Sequence, residues 1–398
     1  MIKIAIIYDS SFPDLNCKSA NDRRVFNIRL SLLQEGIKSD ILIPSWRSKI
    51  EYLSCVDNNL GIKIIGKKYK FSLLNRFFYY YLCYKEIKKH GYKSVLFYNS
   101  IWDSSLLIIT LRILGIKVGL EICDKHSENL VTKNGLINRI KRLLVILPTE
   151  KILHKLTDFN IVINKSLYNI VFKKKPCLIL PILVDNEYFK FDFIAASNFR
   201  NKYEINENEI ILTFCGSYWY YEGSELLIEA VNKIIISTKI RNFKIFFVGN
   251  STHKKYKPNL IDLTNKYNLN SIIYFTGRIS EIELLAAYSA TDIFILPQKK
   301  DGFTDFAFPT IIGEYASMGK PIIASKTGEL DLIFSDNKDI LFFDNMNIDD
   351  LAIKIKTLLL NEPLRIQLGD NAKILSEVKF GLSNNGFLLK SFLKNVLN

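Results

Sequence analysis

The sequence predicts an α/β protein made of two Rossmann-like, doubly wound halves facing a central cleft. Three observations carry that prediction. The chain has 398 residues, more than one hydrophobic core normally serves. Strand-length apolar runs alternate with helix-length amphipathic stretches in both halves. Runs such as IKIAIIY at 2–8 are apolar throughout, as strands buried on both faces of a parallel sheet are. Apolar residues make up 48% of the chain and charged residues 24%, a folded rather than a disordered composition.

Residues 2–8 give the first strand, and a polar loop follows from Asp9 to Asn21. A helix is expected over 22–35, with Val25, Ile28, Leu32 and Leu33 on its apolar side and Gly36 as its stop. A strand at 40–43 completes a βαβ unit, whose crossover should be right-handed. Further strands are expected at 62–65, 94–98, 116–122, 159–163 and 178–180, with helices near 102–114, 136–156 and 165–172. The periodicity lapses in the polar stretch 185–207, where the linker is placed. The expected domains are 1–190 and 191–380, with a terminal helix at 381–398 that is free to cross back to the first.

The second half restarts with a strand at 210–215. Helices at 222–238, 256–267, 280–289 and 309–318 then alternate with strands at 243–248, 272–275, 292–296 and 321–324. Only helices are expected after that, at 347–361, 363–377 and about 383–396. Ligands of such sheets bind beyond the carboxyl ends of the strands, so the residues there are the candidates.

The most informative stretch is DGFTDFAFPTIIGEYASMGKPIIAS, residues 301–325. Pro309 suits a helix start, where its missing N–H costs nothing. The amides of Thr310 and Ile311 would then point outward and can hold a phosphate. Glu314, one turn further in, suits the hydroxyls of a ribose or sugar instead. The strand at 272–275 runs into Thr276-Gly277-Arg278-Ile279-Ser280. Gly277 permits close backbone approach, Arg278 offers a planar cation for phosphate, and Ser280 caps the next helix. The strand at 210–215 ends in Gly216-Ser217 and four aromatics, Tyr218 to Tyr221, which either line a cleft or pack on the linker. In the first half, His126 lies in the loop Glu121–Glu128 after a strand, as a functional candidate or as an ordinary surface histidine.

The charge is asymmetric. Residues 1–190 hold 31 Lys and Arg against 16 Asp and Glu, an excess of +15, while residues 191–398 hold 23 against 24. The first half therefore suits an anionic surface, or carries a merely solvated basic face. Two stretches in it fit a membrane interface, 71–90 (aromatic, then basic) and 136–147, whose Leu136, Ile140, Leu143, Leu144 and Leu147 share a face. The competing reading makes both stripes core. No run is long and apolar enough for a transmembrane helix, and the start reads as a strand rather than a leader. The six cysteines form no CxxC pair and read as reduced core thiols of a cytosolic protein. Nothing has metal-ligand spacing, and no nucleotide-binding P-loop, metalloprotease, serine-hydrolase or nucleic-acid-binding motif is present.

Taken together, these residues resemble the GT-B glycosyltransferases, in particular the retaining family 4 class (glycosyl transferases group 1). The resemblance rests on FCGSYWYYEGSELLIEAV, FTGRISEIELLAAYSATDIFILPQ, GEYASMGKPIIAS and LPILVDNEYF. It implies a donor-binding set of Gly216, Ser217, Gly277, Arg278, Asp301, Phe308, Pro309, Thr310, Ile311 and Glu314. His126, Arg278 and Glu314 are the implied catalytic residues, with Glu314 on the nucleotide ribose. The chain departs from the family in three places. Phe306 stands where the family's Glu-x7-Glu motif has its first acid, with Asp301 or Asp305 as substitutes. Glu222 replaces a common lysine, and Ile311 stands in a basic position of a related branch. Lys299 or Lys300 is then left to assist Arg278.

The implied activity is retaining sugar transfer from a nucleoside-diphosphate sugar, without a metal or other cofactor. The acceptor would be a glycan or lipid-linked saccharide in bacterial surface polysaccharide assembly, handled in the cytoplasm with peripheral contact to the inner membrane face and no nucleic-acid partner. The departures also admit a non-catalytic GT-B scaffold, and the fold admits a sugar-nucleotide epimerase.

Overall fold

The computed structural model describes residues 2–8, 19–44, 61–65, 73–125, 142–171, 175–250 and 256–397. The chain divides into two compact units, Met1–Leu183 with Leu382–Asn398, and Val184–Gly381.

The first unit is built on seven strands: β1 (Lys3–Tyr8), β2 (Lys38–Pro44), β3 (Ile62–Ile65), β4 (Ser94–Tyr98), β5 (Lys117–Ile122), β6 (Phe159–Val162) and β7 (Cys177–Ile179). They pair in parallel in the order β3-β2-β1-β4-β5-β6-β7. The order reverses between β1 and β4, which marks the switch point of a doubly wound sheet. All five residues of β4 are buried, which is why its sequence is apolar without alternation. One face carries Ile4, Ile6, Ile28 and Leu32 together with Leu389 and Leu393 of the terminal helix Leu382–Leu397. That helix lies on Ala20–Gln34. A Cβ on Gly386 would sit 2.7 Å from the Ser31 carbonyl oxygen, so glycine lets the two backbones close, and Lys390 pairs with Glu35 at 2.9 Å.

The other face is covered by Leu73–His90, whose Tyr79, Tyr80, Cys83 and Ile87 are in the core with Ala5, Ile7, Val95 and Phe97. The stripe expected to face a membrane at 71–90 is thus in part a core stripe. Phe78 and Tyr81 point outward, Tyr81 beneath the Lys85 ammonium. The helix expected at 136–156 is present over its described part, 142–156, but it is wound largely as π-helix at Arg142–Ile146 and Thr149–Leu153, and it leaves Leu143 and Leu144 exposed. Leu136 and Ile140 lie outside the described residues. Among the described residues, no helix is long and apolar enough to cross a membrane.

The second unit has six parallel strands: β8 (Ile210–Cys215), β9 (Phe243–Val248), β10 (Ile273–Gly277), β11 (Ile293–Leu296), β12 (Ile322–Ser325) and β13 (Leu341–Phe343), in the order β10-β9-β8-β11-β12-β13. The switch point lies between β8 and β11. β13 falls where only helices were expected. It is three residues long, fully buried and paired with β12. The helix Phe193–Lys202, within the polar stretch 185–207, packs on Glu281–Ala290. Helices Ser224–Thr238 and Ile348–Leu360 cover one face of the sheet, with Leu227, Val231, Ile234 and Ile355 in its core. Of the six cysteines, Cys83 and Cys123 are buried free thiols and Cys177 and Cys215 half-buried ones; Cys17 and Cys55 lie outside the described residues.

Candidate functional site

At the carboxyl edge of the second sheet, three neighbouring strands end in glycine, and the three glycines meet. Gly216 follows β8, Gly249 follows β9 and Gly277 closes β10. The Gly216 amide donates to the Val248 carbonyl and the Gly249 amide to the Gly277 carbonyl, each at 2.9 Å. Gly249 adopts φ +119°, and a Cβ there would lie 1.9 Å from the Gly216 carbonyl oxygen. Only glycine fits that contact. Gly249 was not singled out in the sequence; the signal for it was a glycine directly after a buried strand. Arg278 follows Gly277 as an exposed cation. Behind Gly216, the fifteen-residue helix Ser224–Thr238 begins, so its positive dipole end lies at the glycine turn.

Glu314 reaches this edge from the next crossover. It sits on the short helix Ile311–Ser317, is 6% exposed, and its Oε2 accepts from the Tyr288 hydroxyl at 3.3 Å. The neighbouring Tyr315 ring stacks on Phe294 at 4.1 Å, and its hydroxyl accepts from the Cys215 amide at 2.9 Å. One aromatic residue thus fixes the Glu314 helix to the end of β8. The helix is seven residues long and starts at Ile311, two residues after the expected Pro309, and the Ile312 amide already donates to Pro309. Its dipole is weaker than that of Ser224–Thr238.

The loop before this helix is tightly built. Asp301 Oδ1 accepts from the Phe303 and Thr304 amides at 2.9 and 2.8 Å, and Oδ2 from the Tyr220 hydroxyl at 2.9 Å. Asp301 therefore shapes the loop and ties it to the aromatic turn. Phe308 is buried with its ring toward Phe380, Pro309 is buried, and Thr310 and Ile311 are half-buried. Asp305 is half-buried too. Lys299 is ion-paired with Glu225, and its amide donates to the Tyr221 carbonyl at 2.7 Å. Of the four aromatics after Gly216, Tyr218 is a core residue whose hydroxyl donates to the Phe247 carbonyl, and Tyr221 packs on Phe303. A pocket of about 330 Å³ opens beside Trp219 and Tyr220.

Glu222 closes the glycine turn. Its Oε1 accepts from the Ser217 hydroxyl at 3.0 Å and its Oε2 from the Trp219 amide at 3.2 Å. A Cβ on Gly216 would be 2.7 Å from that Oε2. Burial pushes the carboxyl up to about 7, against the pull of the Ser217 and Trp219 hydrogen bonds.

In the first unit, the carboxyl edge of β1, β4 and β5 holds a buried polar cluster. Arg24 and Glu121 form an ion pair at 2.6 Å, and the Arg24 guanidinium also donates to the Leu180 and Pro181 carbonyls at 2.9 and 2.6 Å. Glu121 is fully buried and its Oε2 accepts no hydrogen bond. Burial raises the Glu121 carboxyl above its usual range, more than Arg24 lowers it. Burial works against the Arg24 charge too and is the largest single influence on it, but Glu121, Cys123 and Tyr98 together outweigh it and hold the guanidinium above its usual value. Tyr8 donates to Asp22 at 2.7 Å alongside, and a cavity of about 50 Å³ adjoins Glu121, Asp124 and Lys125. His126 lies outside the described residues.

The second unit therefore gathers Gly216, Ser217, Gly277, Arg278 and Glu314 around the carboxyl edge of one sheet. It gives Asp301, Phe308 and Pro309 framework positions beside them. Among the described residues, no group of three or more His, Cys, Asp and Glu could hold a metal ion.

Residues 196–374 match the family described as Glycosyl transferases group 1. An uncharacterised glycosyltransferase of Methanocaldococcus jannaschii is 26% identical over 316 residues, which is 75% of this chain and 85% of that protein. The Campylobacter jejuni N,N'-diacetylbacillosaminyl-diphospho-undecaprenol alpha-1,3-N-acetylgalactosaminyltransferase is 25% identical over 209 residues, about half of each chain. Among solved structures, Anabaena HepE in complex with UDP-glucose superposes with a TM-score of 0.73 over 99% of this chain and 100% of its own, at 14% identity. The fold, the family match within the second unit and these relatives agree: the second unit matches the group 1 glycosyltransferases over residues 196–374, and the chain has the GT-B fold.

Proposed function

We propose that the protein moves a sugar from a nucleoside-diphosphate sugar to a glycan or lipid-linked acceptor, with retention at the anomeric carbon, in bacterial surface polysaccharide assembly. The observation that carries this reading is the meeting of Gly216, Gly249 and Gly277 next to Glu314 and Arg278. A backbone stripped of side chains lets a diphosphate lie against the strand ends, at the start of Ser224–Thr238. Arg278 and the turn amides meet the charge that grows on the leaving diphosphate, the step where fixed donors gain most. Glu314 grips the donor's hydroxyls, and His126 is assigned to the donor sugar. No metal or other cofactor takes part in this reading. UDP-glucose bound to Anabaena HepE, and the lipid-linked diphosphosaccharide in the name of the Campylobacter jejuni relative, favour donor and acceptor of these classes.

The acceptor side is assigned to the basic first unit, working at an anionic membrane face. Leu106, Ile109 and Ile113 of the helix Ser105–Ile113 are 57%, 40% and 80% exposed, and Leu143 and Leu144 are exposed in the same unit. These apolar side chains on a cationic unit suit an interfacial surface. The test is a panel of UDP-, GDP- and dTDP-linked sugars given to the purified protein with lipid-linked acceptors, with the product's anomeric configuration read by NMR. One donor should be turned over to a product of retained configuration. An inverted product refutes the mechanism, and no turnover or slow hydrolysis with any donor refutes the reading.

A further inference from the structure

The glycine turn carries an acid where an anionic donor is proposed to lie. Resting on that reading of the donor site, we propose that Glu222 binds the donor's diphosphate as the neutral acid, donating its carboxyl O–H to a phosphate oxygen, so that the donor is taken up together with one proton.

The geometry supports this in three ways. First, Glu222 Oε2 stands against Gly216, in the place a side chain on Gly216 would occupy, and so borders any group laid on that glycine. Second, the carboxyl is held in one orientation by the Ser217 hydroxyl and the Trp219 amide, so it cannot swing away from an arriving anion without losing both bonds. Third, among the described residues no cation is ion-paired with it. The nearby Lys299 is committed to Glu225. Among the described residues, the titratable groups that feel its charge are Tyr218 of its own turn and Tyr315 of the helix Ile311–Ser317, with Cys215 of β8 beside both and Glu314 beside Tyr315. Burial holds both phenols above their usual values, so neither supplies charge near neutral pH. A carboxylate among such neighbours would repel a diphosphate; a carboxylic acid offers it a hydrogen bond. Enzymes use buried neutral carboxylic acids as donors in this way. With the acid already pushed up to about 7 in the free protein, a bound anion raises it further and protonation becomes easy at neutral pH.

The proton balance is simple. Where the free carboxyl is ionised, one proton enters from solvent as the nucleotide sugar binds; it remains on the Glu222 carboxyl during transfer and returns to solvent when the nucleoside diphosphate is released. No bond to Glu222 forms or breaks other than its O–H.

The test compares wild type and Glu222→Gln in binding UDP-, GDP- and dTDP-linked hexoses, whose diphosphate esters carry no group titrating near neutrality. In wild type the dissociation constant should rise about tenfold between about pH 6 and pH 8.5, one unit of pKa shift being a factor of ten. In Glu222→Gln it should vary less than about twofold over the same range. A second measurement needs no variant: titration calorimetry of wild type in two buffers of different ionisation enthalpy should show net proton uptake near pH 7.5. Equal pH slopes in the two proteins, or no proton uptake by wild type, overturn the proposal while leaving the donor site standing. Failure of wild type to bind any of these nucleotide sugars at any pH overturns the donor reading, and this proposal with it.

Discussion

Replacing Gly249 by alanine puts the glycine edge under direct load. The new Cβ would lie 1.9 Å from the Gly216 carbonyl oxygen, whereas real Cβ atoms do not come closer than 3.0 Å, so the two turns must part by about 1 Å. The backbone φ of +119° adds strain of about 1–3 kcal/mol for a residue with a side chain. For a unit of this size each kcal/mol lowers the melting temperature by about 2–4 °C. The functional loss should be larger than the loss of stability, because a 1 Å misplacement of a bound reactant costs about a hundredfold in rate. The assay is kcat/KM for donor turnover beside thermal melting. Gly36→Ala is the control: it also has a positive φ, +74°, but nothing lies within 4 Å of its Cβ, and it sits in the first unit. The expected result is a folded Gly249→Ala protein with kcat/KM down about a hundredfold, and a Gly36→Ala protein that is destabilised but active. A folded Gly249→Ala protein with donor turnover within about twofold of wild type would refute the placement of the diphosphate on this edge.

Three further predictions concern other links. Arg24→Met leaves Glu121 buried without its cation and should cost about 3–5 kcal/mol in denaturant unfolding, whereas a loss under about 1 kcal/mol would show that the pair is not buried as described. Glu222 is raised to about 7 in the folded protein, so folding retains its proton while the unfolded chain loses it near the ordinary carboxylate value. Its contribution should therefore be full below about pH 4.5, fade as pH rises, and be gone above about pH 7, on the order of 3 kcal/mol in all; Glu222→Gln should flatten that slope, and an unchanged stability profile would contradict the burial of the acid. Ile113→Asp, at a position 80% exposed, should leave folding intact but weaken sedimentation with anionic vesicles several-fold; undiminished vesicle binding would remove this helix from the proposed membrane face.

Most of the fold was legible because parallel strands buried on both faces leave continuous apolar runs, as in β1 and β4. β13 was not, because Leu341–Phe343 is too short for any period to distinguish strand from helix. The 71–90 stretch shows the limit of reading surfaces: its aromatic residues serve both faces of one helix, and only the packing separates Tyr79 and Tyr80, inside, from Phe78 and Tyr81, outside. At the site, Gly216, Gly277, Arg278 and Glu314 were visible because each follows a strand or opens a helix in a readable βα unit. Asp301 was read as a substitute motif acid, but its oxygens hold Phe303, Thr304 and Tyr220, contacts that depend on how two loops meet. The bond from the Cys215 amide to Tyr315 spans 100 positions, beyond any local pattern. Glu222 appeared in the sequence only as a missing lysine. That it is wrapped by Ser217 and the Trp219 amide is a property of the folded turn.

The measurement that bears most directly on the central claim is the dissociation constant of each nucleotide sugar in the panel for wild type and for Glu314→Gln. Glu314 is buried and bonded to Tyr288, and glutamine keeps its shape, so both proteins should fold and melt alike. The account predicts that wild type binds at least one nucleotide sugar and that Glu314→Gln binds it at least about tenfold more weakly, the loss of a charged hydrogen bond to a sugar hydroxyl. Equal affinities in the two proteins would contradict it.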